Sequence, residues 1–357
     1  MDRRAFMGAL GATAVAARMG RGATPSQSRR LVIDALGEVR ISYPMKIVDE
    51  IRASGLRMCA VTVGNPALHG PDAYDSLAAE ADAYDRHVAR YPHRLSYVRR
   101  FEDIDQAVER STIGILYYTQ NATPLQDDDE RLEDLYARGV RIVQLTYNNR
   151  NLLGDGCMER TNAGLSAFGL AVVERMNAMG MVVDVSHCGS ATTMDAMAHS
   201  RAPVAITHAA CVEVYEHPRN KTDEALRRMA DGGGVIGICQ INPFLGANER
   251  NTLEHYLDHV DHAVNVAGID HVGIGSDREY RTIPDTWEER TKLAVELSRL
   301  RPVTPDEVRW PYFLTELNHP RRMDTIADGL ARRGRPAREI DKILGENFYR
   351  FFRDTLT

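Results

Sequence analysis

From residue 31 onward the chain alternates short runs rich in β-branched residues with longer stretches whose apolar positions recur at helical spacing. The short runs are Leu31–Leu36, Met58–Gly64, Ile113–Gln120, Arg141–Tyr147, Met181–His187, Ala202–His208, Gly234–Ile241 and His271–Asp277. Helical periodicity fills the gaps, as in Asp72–Tyr91, Asp127–Arg138, Leu165–Met179, Thr192–His199, Asp223–Ala230 and Leu253–Val266. Strands separated by helix-length segments pair in parallel through right-handed crossovers. Eight such units in sequence predict an α/β fold, a single TIM-like (β/α)8 barrel over residues 31–357. An open doubly wound sheet would carry a Gly-rich phosphate loop after its first strand, and Gly37-Glu38-Val39-Arg40 is not one. The stretch 278–322, with Trp287, Trp310 and Tyr312, reads as a long loop-like insertion before the last helices.

Charge and cysteine content narrow the function classes. The net charge of −6 comes with interspersed acids and bases and no long basic run, which argues against a nucleic-acid partner or an anionic membrane surface. Five cysteines at wide spacings, with no C-x-x-C, indicate neither a disulfide framework nor a structural zinc ribbon. Residues 1–30 stand apart. Arg3-Arg4-Ala5-Phe6-Met7, a weakly apolar stretch to Ala17 and a small-residue site at Ala14-Val15-Ala16 read as a twin-arginine export signal with its spacer, and predict a periplasmic protein. No other segment approaches the roughly 20 apolar residues of a membrane span, so no stable anchor is expected.

In a parallel barrel the chemistry gathers where the strands' C-terminal ends meet at one mouth. Those ends read Leu36/Glu38, Gly64, Gln120, Tyr147, His187, His208, Gln240 and Asp277. His187 and His208 close successive apolar strands and Asp277 closes the eighth. Neutral imidazole and carboxylate are donors that zinc accepts, and an incompletely coordinated zinc activates water, so the trio points to a metallohydrolase. Cys188 follows His187, but strand alternation turns it to the opposite face, which argues against a catalytic thiol.

At these positions the chain resembles the membrane dipeptidase (renal dipeptidase) family. The resemblance is densest over Gly139–Gly237, in LTYNNRNLLGDGC, VVERMNAMGMVVDVSHCG, SRAPVAITHAA and HPRNKTDEALR, and it continues through HVGIGSD to ILGENFYRFF. It implies a (β/α)8-barrel zinc hydrolase that cleaves dipeptides with two glutamate-bridged metals. By position it implies His187 and His208 as ligands of the second metal, Asp277 as the proton-handling carboxylate and Arg219 as the arginine holding the substrate's carboxylate. Tyr147 stands where the best-known members have a histidine against the tetrahedral intermediate; a tyrosine hydroxyl can still donate to an oxyanion.

The departures lie at the first metal. The family's first strand ends in His-x-Asp, where this chain has Leu36-Gly37-Glu38, and the bridging glutamate aligns with Gln120. Leucine binds no cation and an amide carries no charge, so the sequence argues for one zinc rather than two, with Gln120 and Glu38 as further candidate ligands. The expected activity is hydrolysis of a dipeptide or similar small amide. The alternatives are an altered enzyme tailoring a peptide-derived molecule, or a catalytically silent binding homologue. Members of the family commonly form homodimers, and no interface is legible in this chain.

Overall fold

The computed structural model describes residues 30–298 and 303–356. The expected export segment therefore lies outside the described residues, except for Arg30. Nine strands occur among them: β1 (Val32–Asp34), β2 (Leu56–Thr62), β3 (Leu95–Tyr97), β4 (Ile113–Thr119), β5 (Val140–Gln144), β6 (Val182–Asp184), β7 (Ala205–Ala209), β8 (Val235–Ile238) and β9 (Val272–Ile274). Every strand pairing is parallel. The order β2-β1-β9-β8-β7-β6-β5-β4 closes through a β2–β4 pairing into a ring of eight, the expected TIM-like barrel. The sequence pattern misses β3, three residues paired only with β4 beside the ring and too short to show a period.

Strand alternation sorts the core into two layers. In β4, Ile113, Ile115 and Tyr117 pack outward under the helices, while Leu116 and Tyr118 face the barrel interior. The helix Asn347–Thr355 adds Phe348, Phe351 and Phe352 to the interior cluster, where they join Ile33, Met58, Ile142, Val182, Ala205 and Val235. These residues lie at or near the N-terminal ends of their strands, so the aromatic trio closes the bottom of the barrel and the opposite end is left for chemistry. β7, β8 and β9 approach too closely for side chains between them. A Cβ on Gly275 would sit 1.7 Å from the Thr207 carbonyl oxygen and one on Gly237 2.1 Å from the same atom.

The seam between β1 and β9 has one register pair, Asp34 with Ile274, and is reinforced by buried polar contacts. Asp34 accepts hydrogen bonds from Ser276 N (2.8 Å), Ser276 Oγ (2.6 Å) and Tyr280 OH (2.8 Å). Arg322, fully buried, lies 3.5 Å from the same carboxylate and over the Tyr280 ring at 3.4 Å. The stretch 278–322 is more ordered than a loop: it contains the helix Trp287–Leu297 and short 3-10 turns at Pro305–Glu307 and Thr315–Leu317. Among the described residues, no helix is long and apolar enough to cross a membrane.

Candidate metal centre

Except at β7, which runs to Ala209 and carries His208 itself, the strands end earlier than the apolar runs suggest, so most of the chemistry stands on the turns that follow them. β6 stops at Asp184 and β5 at Gln144, which puts His187 and Tyr147 three residues past their strands. His187 is almost fully buried and His208, within β7, wholly so; their Nε2 atoms face each other at 2.9 Å. The outer nitrogens are tied back. His187 Nδ1 donates to Asn148 Oδ1 at 2.6 Å, because an amide oxygen can only accept. His208 Nδ1 contacts Thr207 Oγ1 at 2.8 Å. Thr207 Oγ1 lies 3.2 Å from Ser186 Oγ, which donates to Asp184 Oδ1 at 2.7 Å. Because that chain ends on a carboxylate, its protons run toward Asp184, and we assign Thr207 as the acceptor from His208 Nδ1–H. Both Nε2 lone pairs then point at one another, an arrangement that a shared cation resolves. Burial, with Arg219 and His208 nearby, holds the His187 imidazole well below its usual pKa; burial and Arg219 do the same to His208, so neutral rings are the ground state.

A cavity of about 450 Å³ is lined in part by Tyr147, Asp277, Glu38 and Gln120; neither histidine is part of its wall, and Tyr147 is the residue that connects the two. The Tyr147 ring stacks on His187 with centroids 4.3 Å apart and planes 21° from parallel, so it lies between the imidazole and the cavity. Asp277 has a left-handed backbone, φ +52°, with its N–H bonded to the Leu36 carbonyl at 2.8 Å. Such a conformation is uncommon outside glycine, and here it belongs to a cavity-lining carboxylate just beyond β9. Arg219 is not among the cavity's lining. Its two Nη atoms bond the carbonyls of Ser186 and, at 3.1 Å, His208, while Nε has no partner within the protein. It therefore braces the turn that carries His187 and the strand that carries His208. Cys188 is buried, and burial pushes its thiol up to about 11, in line with a structural role.

The other side of the mouth, above β1, β2 and β4, has different chemistry. Leu36 is fully buried in the interior cluster. Gln120 Nε2 donates to Thr62 Oγ1 at 3.0 Å. Glu38 Oε2 lies 3.2 Å from Arg40 Nη1, and burial pushes the Glu38 carboxyl up to about 7 against the pull of Arg40 and Thr62. Asp34 is held in the β1–β9 seam and takes no part in lining the cavity. These donors do not fit a first metal ion: one is hydrocarbon, one a neutral amide and one already paired with a guanidinium. The histidine pair fits a single ion. Strand ends alone do not reveal Asn148, Ser186, Thr207, Thr62 or Arg40. Their signal was present for Asn148, next to Tyr147, and for Arg40, two residues after Glu38, but only the fold shows what they touch.

A closed parallel barrel with two buried imidazoles converging behind a cavity-lining tyrosine is the architecture of a barrel metallohydrolase. The chain belongs to the membrane dipeptidase family, peptidase family M19, whose sequence profile matches residues 46–301. It is 35% identical over 209 residues to Dipeptidase verJ of Clonostachys rogersoniana, covering 57% of this chain and 54% of that protein, so the match spans about half of that relative's length. It is 30% identical over 240 residues to an uncharacterized protein in the pqqA 5' region of Klebsiella pneumoniae, covering 64% of this chain and 89% of that one. Its fold is similar to that of an amidohydrolase from Pseudomonas aeruginosa, with TM-score 0.81, 29% identity and coverage of 92% of this chain and 98% of that one.

Proposed function

We propose that this protein hydrolyses a dipeptide or similar small amide, using one zinc ion held by His187 and His208. The observation that carries the reading is the pair of Nε2 atoms facing each other at 2.9 Å, with both Nδ1 atoms anchored. An ion bound there supplies the positive charge that polarises an amide carbonyl and makes water nucleophilic at neutral pH. Asp277, at the cavity edge, takes the proton from water and returns it to the departing amine. Tyr147, held parallel to His187, offers its hydroxyl to the negative charge growing on the carbonyl oxygen. Arg219, buried and outside the cavity wall, acts as a positioning residue that holds the carbonyls of Ser186 and His208 and with them both histidines. A volume of about 450 Å³ suits a ligand of dipeptide size.

The test is a dipeptide panel assayed by release of free amino acids, with protein stripped by chelator and then reloaded with zinc. Cleavage should require zinc, vanish in His208→Ala, and vanish in Asp277→Asn although that variant still binds the ion. Zinc-loaded protein that binds dipeptides without cleaving them would overturn the hydrolase reading in favour of a homologue that binds or tailors a peptide-derived ligand. The paired Glu38 and Arg40 are the feature favouring that alternative. We further propose export by the twin-arginine segment: Arg3 and Arg4 both changed to lysine should retain the protein in the cytoplasm, and unchanged periplasmic delivery would refute it.

A further inference from the structure

We infer that Arg40 serves as a built-in cation, its guanidinium standing where a second metal ion would otherwise bind, so that the mouth takes one ion and one arginine. The inference rests on the hydrolase reading of this site and says which groups carry its positive charge. Past β1, Glu38 forms an isolated bridge with Glu279, and Val39 packs into the outer core while the residues on either side of it, Glu38 and Arg40, line the cavity. There Arg40 is the common partner of three carboxylates: Glu38 at 3.2 Å, Glu80 at 3.7 Å and Glu279 at 3.9 Å. The three come from separate parts of the chain, namely the segment after β1, the helix Pro71–Arg90 and the segment after β9. Convergence of acids from three elements is what a cation site requires, and here the cations are covalently attached: Arg40 is the one that all three acids share, while Glu279 also bonds Arg281 and Glu80 accepts from the Gly64 N–H at 3.0 Å.

The identity of that cation matters. A lysine or histidine could release its proton and yield to a metal, whereas a guanidinium keeps its charge throughout the accessible pH range. A divalent ion entering among the same carboxylates would meet that fixed charge at close range, in a partly desolvated pocket where repulsion is weakly screened. A guanidinium also offers only N–H donors and no open coordination position. It can steady acids and orient a ligand, but it cannot activate water, so the nucleophile must come from the histidine side.

Zinc alone is the probe. Chelator-stripped wild type, Arg40→Gln and Arg40→Lys are titrated with zinc chloride, and bound metal is counted by equilibrium dialysis and elemental analysis. Wild type should hold one equivalent at every pH tested, whereas Arg40→Lys should hold one at neutral pH and admit a second as pH rises and the ammonium gives up its proton. Arg40→Gln should hold two, the second at least tenfold tighter than any second equivalent in wild type. Two equivalents in wild type, or only one in Arg40→Gln, overturns the proposal. Thermal melting in the same zinc series decides the matter if Arg40→Gln is unstable. Without metal the variant should melt below wild type and zinc should restore it, whereas a melt that zinc leaves unchanged counts against the proposal. Dipeptide cleavage by zinc-loaded wild type is measured alongside; its absence refutes the hydrolase reading while the stoichiometry still decides the role of Arg40.

Discussion

The two sides of the barrel mouth solve the same electrostatic problem in opposite ways. On the β6–β7 side the donors are neutral: two imidazoles, held by Asn148 and by the Thr207–Ser186–Asp184 chain, present lone pairs to one point. On the β1–β4 side the donors are charged and already compensated: Glu38, Glu80 and Glu279 surround Arg40, and Gln120 is spent on Thr62. Neutral donors with anchored outer nitrogens form a site that is incomplete without a cation. Acids gathered around a guanidinium have a fixed counter-charge within 4 Å, although Glu38 Oε2 makes an ion pair and no hydrogen bond. On the proposed reading, local charge balance rather than family membership sets the number of metals.

The sharpest way to break this comparison is to remove an imidazole. His187→Ala or His208→Ala should take bound zinc from one equivalent to none by elemental analysis, whereas Glu38→Ala should leave that ion in place. Loss of zinc in the Glu38 variant would show that the two sides share one ion.

Next in size is the β1–β9 seam beneath the charged side. Asp34→Asn leaves Arg322 buried without its counter-charge and should cost about 3–5 kcal/mol in chemical denaturation, as breakage of buried pairs commonly does. A cost under about 1 kcal/mol would mean that the Ser276 and Tyr280 bonds carry the seam without ionic help.

Smaller effects test the neutral side. Asn148→Ala frees His187 Nδ1 and should weaken zinc binding about 10–100-fold with the fold intact, read by competition with a chromogenic chelator. Unchanged affinity would show that the Tyr147 stack alone orients the ring.

The smallest effect is a pH dependence in the loop after β5, which carries Asn148. Asp155 accepts from Arg150 Nε at 2.5 Å, Thr161 Oγ1 at 2.9 Å and the Ala163 N–H at 2.9 Å, and the Arg150 guanidinium foremost lowers its carboxyl to about 2. A depressed carboxyl stabilises the fold above its unfolded value of roughly 4, and that stability fades as pH falls toward 2. Arg150 is half exposed, so solvent screening leaves about 1 kcal/mol. Asp155→Asn should thus melt lower than wild type at pH 7, with the gap closing between about pH 4 and pH 2. A gap that does not change with pH would assign the loss to packing.

The barrel was legible in the chain because its signals are local: β-branched runs, helical gaps between them and their repetition eight times over all act within a few residues. His187, His208 and Asp277 were legible because a polar residue closing an apolar run is conspicuous on the page. That Leu36 and Gln120 stand where the family resemblance expects first-site donors could likewise be read from the chain. What replaced them could not, because it is assembled from residues far apart in the chain: Arg40 meets Glu80 and Glu279 only when β1 and β9 close the ring and the helix Pro71–Arg90 packs against it. For the same reason Asn148 reaches His187 across 39 positions, and Arg219 turns to brace the strand ends. Backbone conformation follows from neighbours in sequence, but charge compensation in a desolvated cavity depends on which side chains the fold brings within a few ångströms, and that is settled only when the barrel closes.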